Sequence, residues 1–145
     1  MRVAFLRYTG PFGEPIGRFW RGTVTPWLAE HGMLDCPRFG VSLDSPMNTP
    51  PAKCRYDACV ELPRDMTLPD AEQTTIPGGR YAVTYFKGTG AEIGAAWGAF
   101  IGATLGDSAN SSDPSRCPFE HYPRGAYTDT KTGVFACELC LPLSS

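Results

Sequence analysis

Two hydrophobic periods alternate along the chain. Arg2–Tyr8 is rich in β-forming residues and runs into Thr9-Gly10-Pro11-Phe12-Gly13, which predicts a strand followed by a loop. From Glu14 to His31 the period lengthens. Ile16, Phe19, Trp20, Val24, Trp27 and Leu28 fall at i, i+3, i+4, i+8, i+11 and i+12, one face of a helix. Pro15 suits its first turn, and Gly32 closes it. Pro26 lies inside the pattern, removes a backbone N–H and crowds the preceding turn, so a kink or break is expected there. Short strands follow at Arg38–Leu43 and Arg55–Leu62, separated by the proline-rich loop Asp44–Lys53.

The same order then returns. Pro63 to Gly79 reads as a linker, Arg80–Lys87 as a strand, and Ala91–Leu105 as a helix with Ile93, Trp97, Phe100, Ile101 and Leu105 on one side. Gly94, Gly98 and Gly102 form a bare stripe along that helix. The stripe permits close approach of another backbone or a flat ligand, and since an interior glycine costs a helix about 1 kcal/mol against alanine, a packing reason is expected. Pro118–Tyr122 and Val134–Leu141 are the last two strands.

The residues themselves repeat. At an offset of 77, Ile16-Gly17-x-x-Trp20 falls on Ile93-Gly94-x-x-Trp97, Tyr8 on Tyr85, Gly13 on Gly90 and Leu28 on Leu105. At an offset of 78, Ala58-Cys59 falls on Ala136-Cys137. A fixed offset marks a duplicated unit. The expected fold is α+β: two βαββ repeats with pseudo-two-fold symmetry, a mostly antiparallel sheet and two main helices on one face. Within a single domain of residues 1–145, repeat 1 would cover about 1–63, the linker about 64–79 and repeat 2 about 80–145. The sheet surface opposite the helices would be left concave, and a cleft between repeats is a natural ligand pocket.

Composition narrows the function. The 145 residues carry 13 Lys+Arg against 15 Asp+Glu, a net charge of −2, which lacks the basic footprint of direct nucleic-acid binding. No apolar run reaches the length of a membrane span, and no secretory signal opens the chain, so a cytoplasmic protein is expected. With 16 Gly and 14 Pro, the chain is turn-rich rather than a long-helix bundle.

Six cysteines could form a disulfide framework, but without a secretory signal they read as buried, reduced thiols. Cys137-x-x-Cys140 lies in a predicted strand, where positions i and i+3 point to opposite faces, so neither disulfide nor metal is expected. Phosphate-binding, dinucleotide, serine-hydrolase and zinc-protease motifs are all missing, and no cofactor is implied.

Glu138 stands out as a carboxylate in the most apolar strand. It either faces water or forms a pocket wall, where dryness would raise its pKa. Glu61, in a similar place in the first half, reads as surface. Strand alternation separates Tyr56 from Arg55 and Asp57. Trp20, Trp27 and Trp97 lie on the apolar helix faces, as core or as walls for a flat or cationic ligand. His31 reads as a helix cap, and His121 sits in Phe119-Glu120-His121-Tyr122.

Together, Arg55-Tyr56-Asp57-Ala58-Cys59-Val60, Gly78-Gly79-Arg80-Tyr81-Ala82-Val83, Ile93-x-x-x-Trp97, Phe119-Glu120-x-Tyr122 and Glu138-Leu139-Cys140-Leu141-Pro142-Leu143 resemble the GyrI-like small-molecule-binding domain. The same domain serves as the effector-binding part of AraC-type and MerR-type multidrug regulators. The resemblance implies two βαββ repeats around a cleft that takes amphipathic, often aromatic or cationic molecules. It also implies that a buried glutamate of the last strand, matched here by Glu138, contacts the ligand. Tyr56, Trp97, Trp20 and Tyr122 would complete the site. The regulators carry a helix-turn-helix before this domain, and this chain leaves no room for one, so direct transcription control is not expected.

Three functions remain open. The first is a binding module with Glu138 as counter-charge. The second, implied by the resemblance to stand-alone members of the family, is a hydrolase that adds water to cyclopropane-bearing genotoxic natural products, with Glu138 and Tyr56 as acid–base pair. The third is a protein-interaction module of the gyrase-modulator kind.

Overall fold

The computed structural model describes residues 1–144. Its strands are β1 (Arg2–Thr9), β2 (Arg38–Ser42), β3 (Arg55–Glu61), β4 (Glu72–Thr75), β5 (Tyr81–Gly88), β6 (Phe119–Tyr122), β7 (Thr128–Asp129) and β8 (Val134–Pro142). They form one sheet in the order β4-β1-β3-β2-β6-β8-β5, with β7 beside β8. All these pairings are antiparallel. From the β2–β6 seam outward the order reads β2, β3, β1 on one side and β6, β8, β5 on the other. Each side is a βαββ unit, and the α+β class is the one the repeat implies.

Two strands escape the hydrophobic pattern. β4 lies in the stretch expected to be linker, and all four of its residues, Glu-Gln-Thr-Thr, are exposed. Backbone pairing with β1, from Arg2 opposite Thr75 to Phe5 opposite Glu72, holds it in place. β7 is a two-residue addition to β8.

The first helical segment is α1 (Glu14–Phe19), a π-helical turn (Trp20–Val24) and α2 (Thr25–Glu30). The interruption expected from Pro26 takes the form of this π turn. The Thr25 N–H reaches back to the Trp20 carbonyl, and Pro26 falls in the first turn of α2, where a missing donor is tolerated. The second helix, α3 (Ile93–Gly106), is continuous. Among the described residues nothing comes within 4 Å of where a Cβ would stand on Gly94, Gly98 or Gly102, so no other backbone packs closely on that stripe.

Both helical segments cover the same sheet face. The cross-strand row Leu6, Ala58, Gly40, Glu120, Leu139, Thr84 lies beneath them, and the adjacent row Phe5, Cys59, Phe39, His121, Glu138, Tyr85 faces away. Val24, Trp27 and Leu28 pack on Ala4, Tyr56, Ala58 and Val60. Trp97 and Phe100 of α3 pack against Phe86, Cys137 and Leu139. The opposite face has its own cluster of Val3, Phe5, Phe39, Cys59, Ile76, Phe119 and Cys140.

Candidate ligand-binding site

Alternation along β6 decides which acid enters the interior. Phe119 and His121 point away from the helices, while Glu120 and Tyr122 point beneath them, at the seam where the halves meet. Glu120 is only 6% exposed. Opposite it on β2 is Gly40, and the absence of a side chain there makes room for the Tyr56 hydroxyl and Glu120 Oε1.

Both halves contribute to the cluster around this carboxylate. The Tyr56 hydroxyl donates to Glu120 Oε1 at 2.8 Å, and the Tyr122 hydroxyl donates to the same oxygen at 2.9 Å. Trp97 Nε1 of α3 donates to Oε2 at 3.4 Å. Trp20 Nε1 donates to the Tyr56 hydroxyl at 3.0 Å. The tryptophans that matched in the repeat thus aim their indole N–H groups at the same Tyr56–Glu120 pair. Phe12 meets Tyr56 edge-on at 6.0 Å, and the Trp20 and Tyr122 rings lie 5.6 Å apart.

Burial pushes the Glu120 carboxyl above its ordinary pKa, and the bonds from Tyr56, Tyr122 and Trp97 pull it back only in part. Both phenols are pushed well up, first by burial and then by the nearby carboxylate, so they remain hydrogen-bond donors. All three donors to Glu120 are neutral. Among the described residues no Lys, Arg or His nitrogen lies within 4 Å of it. A buried carboxylate held this way is short of positive charge.

Of the site residues expected from sequence, Tyr56, Trp20, Trp97 and Tyr122 come together. Glu138 does not join them, and this corrects the expectation that its carboxylate reaches the central cleft. The β6–β8 register pairs His121 with Glu138 on the row that faces away from the helices. Its side chain is 43% exposed, and its Oε1 lies 2.7 Å from His121 Nδ1. There it lines a surface cavity of about 240 Å³ with Tyr85, Tyr127, Pro123 and Ala126. Glu120 holds the interior place instead. Glu120 shares strand parity with Tyr122, but which face of β6 turns inward is set by its pairing with β2 and β8.

A second cavity of about 230 Å³ also opens away from the helices, beside Arg7, Asp57 and Cys117. Its main charges already satisfy each other, since Arg7 grips Asp57 through two bonds of 2.8 and 3.0 Å. The open cavities and the aromatic-lined carboxylate are therefore on opposite faces, and the unsatisfied chemistry is under the helices. Elsewhere His31, the C-cap residue just after α2, bonds Asp70 at 3.1 Å, and Trp27 is core with its Nε1 on Asp70. No helix among the described residues is long and apolar enough to cross a membrane.

A repeated βαββ sheet with helices on one face and a buried acid among aromatic rings defines an α+β domain of the ligand-binding kind. The chain belongs to the GyrI-like family, whose model, the GyrI-like small molecule binding domain, matches residues 1–144. The chain is 35% identical over 145 aligned residues to DNA gyrase inhibitor 1 of Dickeya dadantii, covering 97% of this chain and 92% of that protein. It is 31% identical over 145 residues to the DNA gyrase inhibitor of Escherichia fergusonii, covering 97% and 90%. Among solved structures, SAV2435 bound to tetraphenylphosphonium shares the fold, with a TM-score of 0.63 at 17% identity over 100% of this chain and 89% of that one.

Proposed function

We propose that this protein binds amphipathic aromatic cations between its helices and its sheet, with Glu120 as counter-charge and Trp20, Trp97, Tyr56 and Tyr122 as walls. The observation that carries the proposal is a 6%-exposed carboxylate held only by neutral donors. A lipophilic cation loses little hydration on entering such a site, gains a full charge partner and meets the negative faces of aromatic rings. The complex of SAV2435 with tetraphenylphosphonium, a cation of this class, supports the reading. Each repeat would supply one tryptophan and one member of the Tyr56–Glu120 pair, so the two repeats act as one binding unit.

The test is calorimetric titration of tetraphenylphosphonium into the parent and Glu120→Gln. Gln keeps the shape and removes the charge. Affinity should fall at least tenfold, about 1.4 kcal/mol. Equal affinity in a folded variant overturns the proposal.

The relatives named DNA gyrase inhibitor favour a second reading, in which the protein also engages a protein partner. Inhibition of purified DNA gyrase in a supercoiling assay would support it, and full gyrase activity at saturating protein would remove it.

A further inference from the structure

We propose that Arg38 makes this site prefer aromatic ligands that carry an anionic oxygen as well as a positive charge over ligands that carry a positive charge alone. The inference rests on Glu120 being the counter-charge for the positive end, and it specifies the other end of the ligand.

Arg38 is the first residue of β2 and pairs across the seam with Tyr122. That places it two strand positions, about 7 Å, from the Gly40–Glu120 pair on the same face of the sheet. Its guanidinium lies 6.0 Å from the Trp20 ring centroid and 5.9 Å from that of Tyr122. A permanent cation thus already occupies two of the aromatic faces that line the proposed site.

The guanidinium is not neutralised. Arg7, Arg55 and Arg116 each bond an aspartate, whereas no carboxylate lies within 4 Å of Arg38 among the described residues. Its Nε is buried with no hydrogen-bond partner. A planar fork of N–H donors, partly stripped of water and given no acceptor, matches an anionic carboxylate, sulfonate or phosphate.

The helix-side face therefore carries two uncompensated charges of opposite sign, Glu120 deep in the seam and Arg38 beside Trp20 and Tyr122. A ligand with only a positive charge satisfies the first and is repelled by the second. A flat aromatic with a cationic end and an anionic oxygen at the other satisfies both and spans the rings between them.

The experiment uses two rhodamines that share one cationic ring system, one with a free carboxylate and the other with its ethyl ester, titrated by fluorescence anisotropy. The parent should bind the carboxylate dye at least tenfold more tightly than the ester. Arg38→Met should weaken the carboxylate dye at least tenfold and leave the ester unchanged or tighter. Arg38→Lys, which keeps the charge without the fork, should lie between. Arg38→Gln replaces the Met variant if that does not fold. Equal affinity of the parent for both dyes overturns the inference, as does an Arg38→Met protein that keeps the parent's preference. Glu120→Gln separates this failure from that of the underlying reading. If it leaves the ester's affinity untouched, Glu120 is not the counter-charge, whatever Arg38 does. If neither dye binds the parent, both ideas fall.

Discussion

Tyr56 and Glu120 meet at the seam of the molecule, where a phenol from the first half donates a 2.8 Å hydrogen bond to a carboxylate 64 residues away. Trp20 and Trp97 each bond one member of that pair, from helices on either side. A local cluster of this kind ties the two βαββ units together as well as forming the proposed site. Its members are therefore testable through stability as well as through binding.

The first prediction concerns pH. Burial raises the pKa of Glu120 in the folded state above the unfolded value, so the native protein holds this proton more tightly. Stability linked to Glu120 is thus full below the unfolded pKa and is lost as pH rises through the raised folded one. Glu120→Gln cannot titrate. Its amide oxygen can keep both tyrosine bonds, while its NH₂ replaces the weakest contact, that to Trp97 at 3.4 Å. Thermal melts of parent and variant should lie closest near about pH 4 and separate as pH rises, with the variant the more stable at about pH 8. A variant that loses stability relative to the parent on going from acid to neutral pH would show that the carboxylate is stabilised, not strained, by its surroundings.

Much of this was legible in the residues. The repeat of Ile16-Gly17-x-x-Trp20 in Ile93-Gly94-x-x-Trp97 announced two units, and the periods placed six of the strands and both helical segments. Tyr56, Trp20, Trp97 and Tyr122 were recognisable because aromatic residues on apolar faces must go inward. The choice between Glu120 and Glu138 was not legible. Both sit on strands next to aromatic residues, and the β6–β8 register sends one inward and the other out. A one-residue slip between β6 and β8 would put both acids on the same face, and register is a property of pairing rather than of either strand alone. β4 was hidden for a related reason, since a fully exposed polar edge strand carries no hydrophobic alternation.

The second prediction follows from Gly40. A methyl group there would overlap the Tyr56 hydroxyl and come to 2.7 Å from Glu120 Oε1. The backbone is ordinary strand, so crowding is the sole objection to a side chain. Gly40→Ala should destabilise the protein by about 1–3 kcal/mol, the usual range for forcing atoms into a packed interior. It should also break the Tyr56–Glu120 bond and weaken tetraphenylphosphonium binding. Denaturant melts and calorimetry check the two effects. A variant as stable as the parent would mean that the seam yields more easily than its packing implies.

The two tyrosines should not be equivalent. Both donate to Glu120 Oε1, but only the Tyr56 hydroxyl also accepts the Trp20 indole N–H. Tyr56→Phe therefore removes one donor and leaves the partly buried Trp20 indole N–H without an acceptor, whereas Tyr122→Phe removes a donor alone. The expected cost is about 1–3 kcal/mol for Tyr56→Phe and about 1 kcal/mol for Tyr122→Phe. Either change should raise the Glu120 pKa further, because each deletes a bond that favours the ionised form. Urea melts of both variants, repeated across pH, give the ranking. Equal losses would indicate that the Trp20–Tyr56 bond contributes nothing net.

The final prediction sets the two acids against each other. Glu138 is half-exposed, paired with His121 at 2.7 Å, and on the face away from the helices. His121 stacks on Phe39 at 4.9 Å, so the imidazole is held by packing as well as by the acid. A partly exposed pair of this kind is worth about 0–1 kcal/mol, and salt screens it over about 8–10 Å. Glu138→Gln should leave the melting temperature nearly unchanged and alter tetraphenylphosphonium affinity by no more than about twofold. Glu120→Gln, measured beside it, should lose at least about tenfold. Increasing salt should erase the small Glu138 effect and leave most of the Glu120 effect, since only Glu120 is walled off from ions. The reverse result, with Glu138→Gln abolishing binding and Glu120→Gln preserving it, would move the ligand to the cavity of Tyr85 and Tyr127 and leave the aromatic cluster as a structural seam.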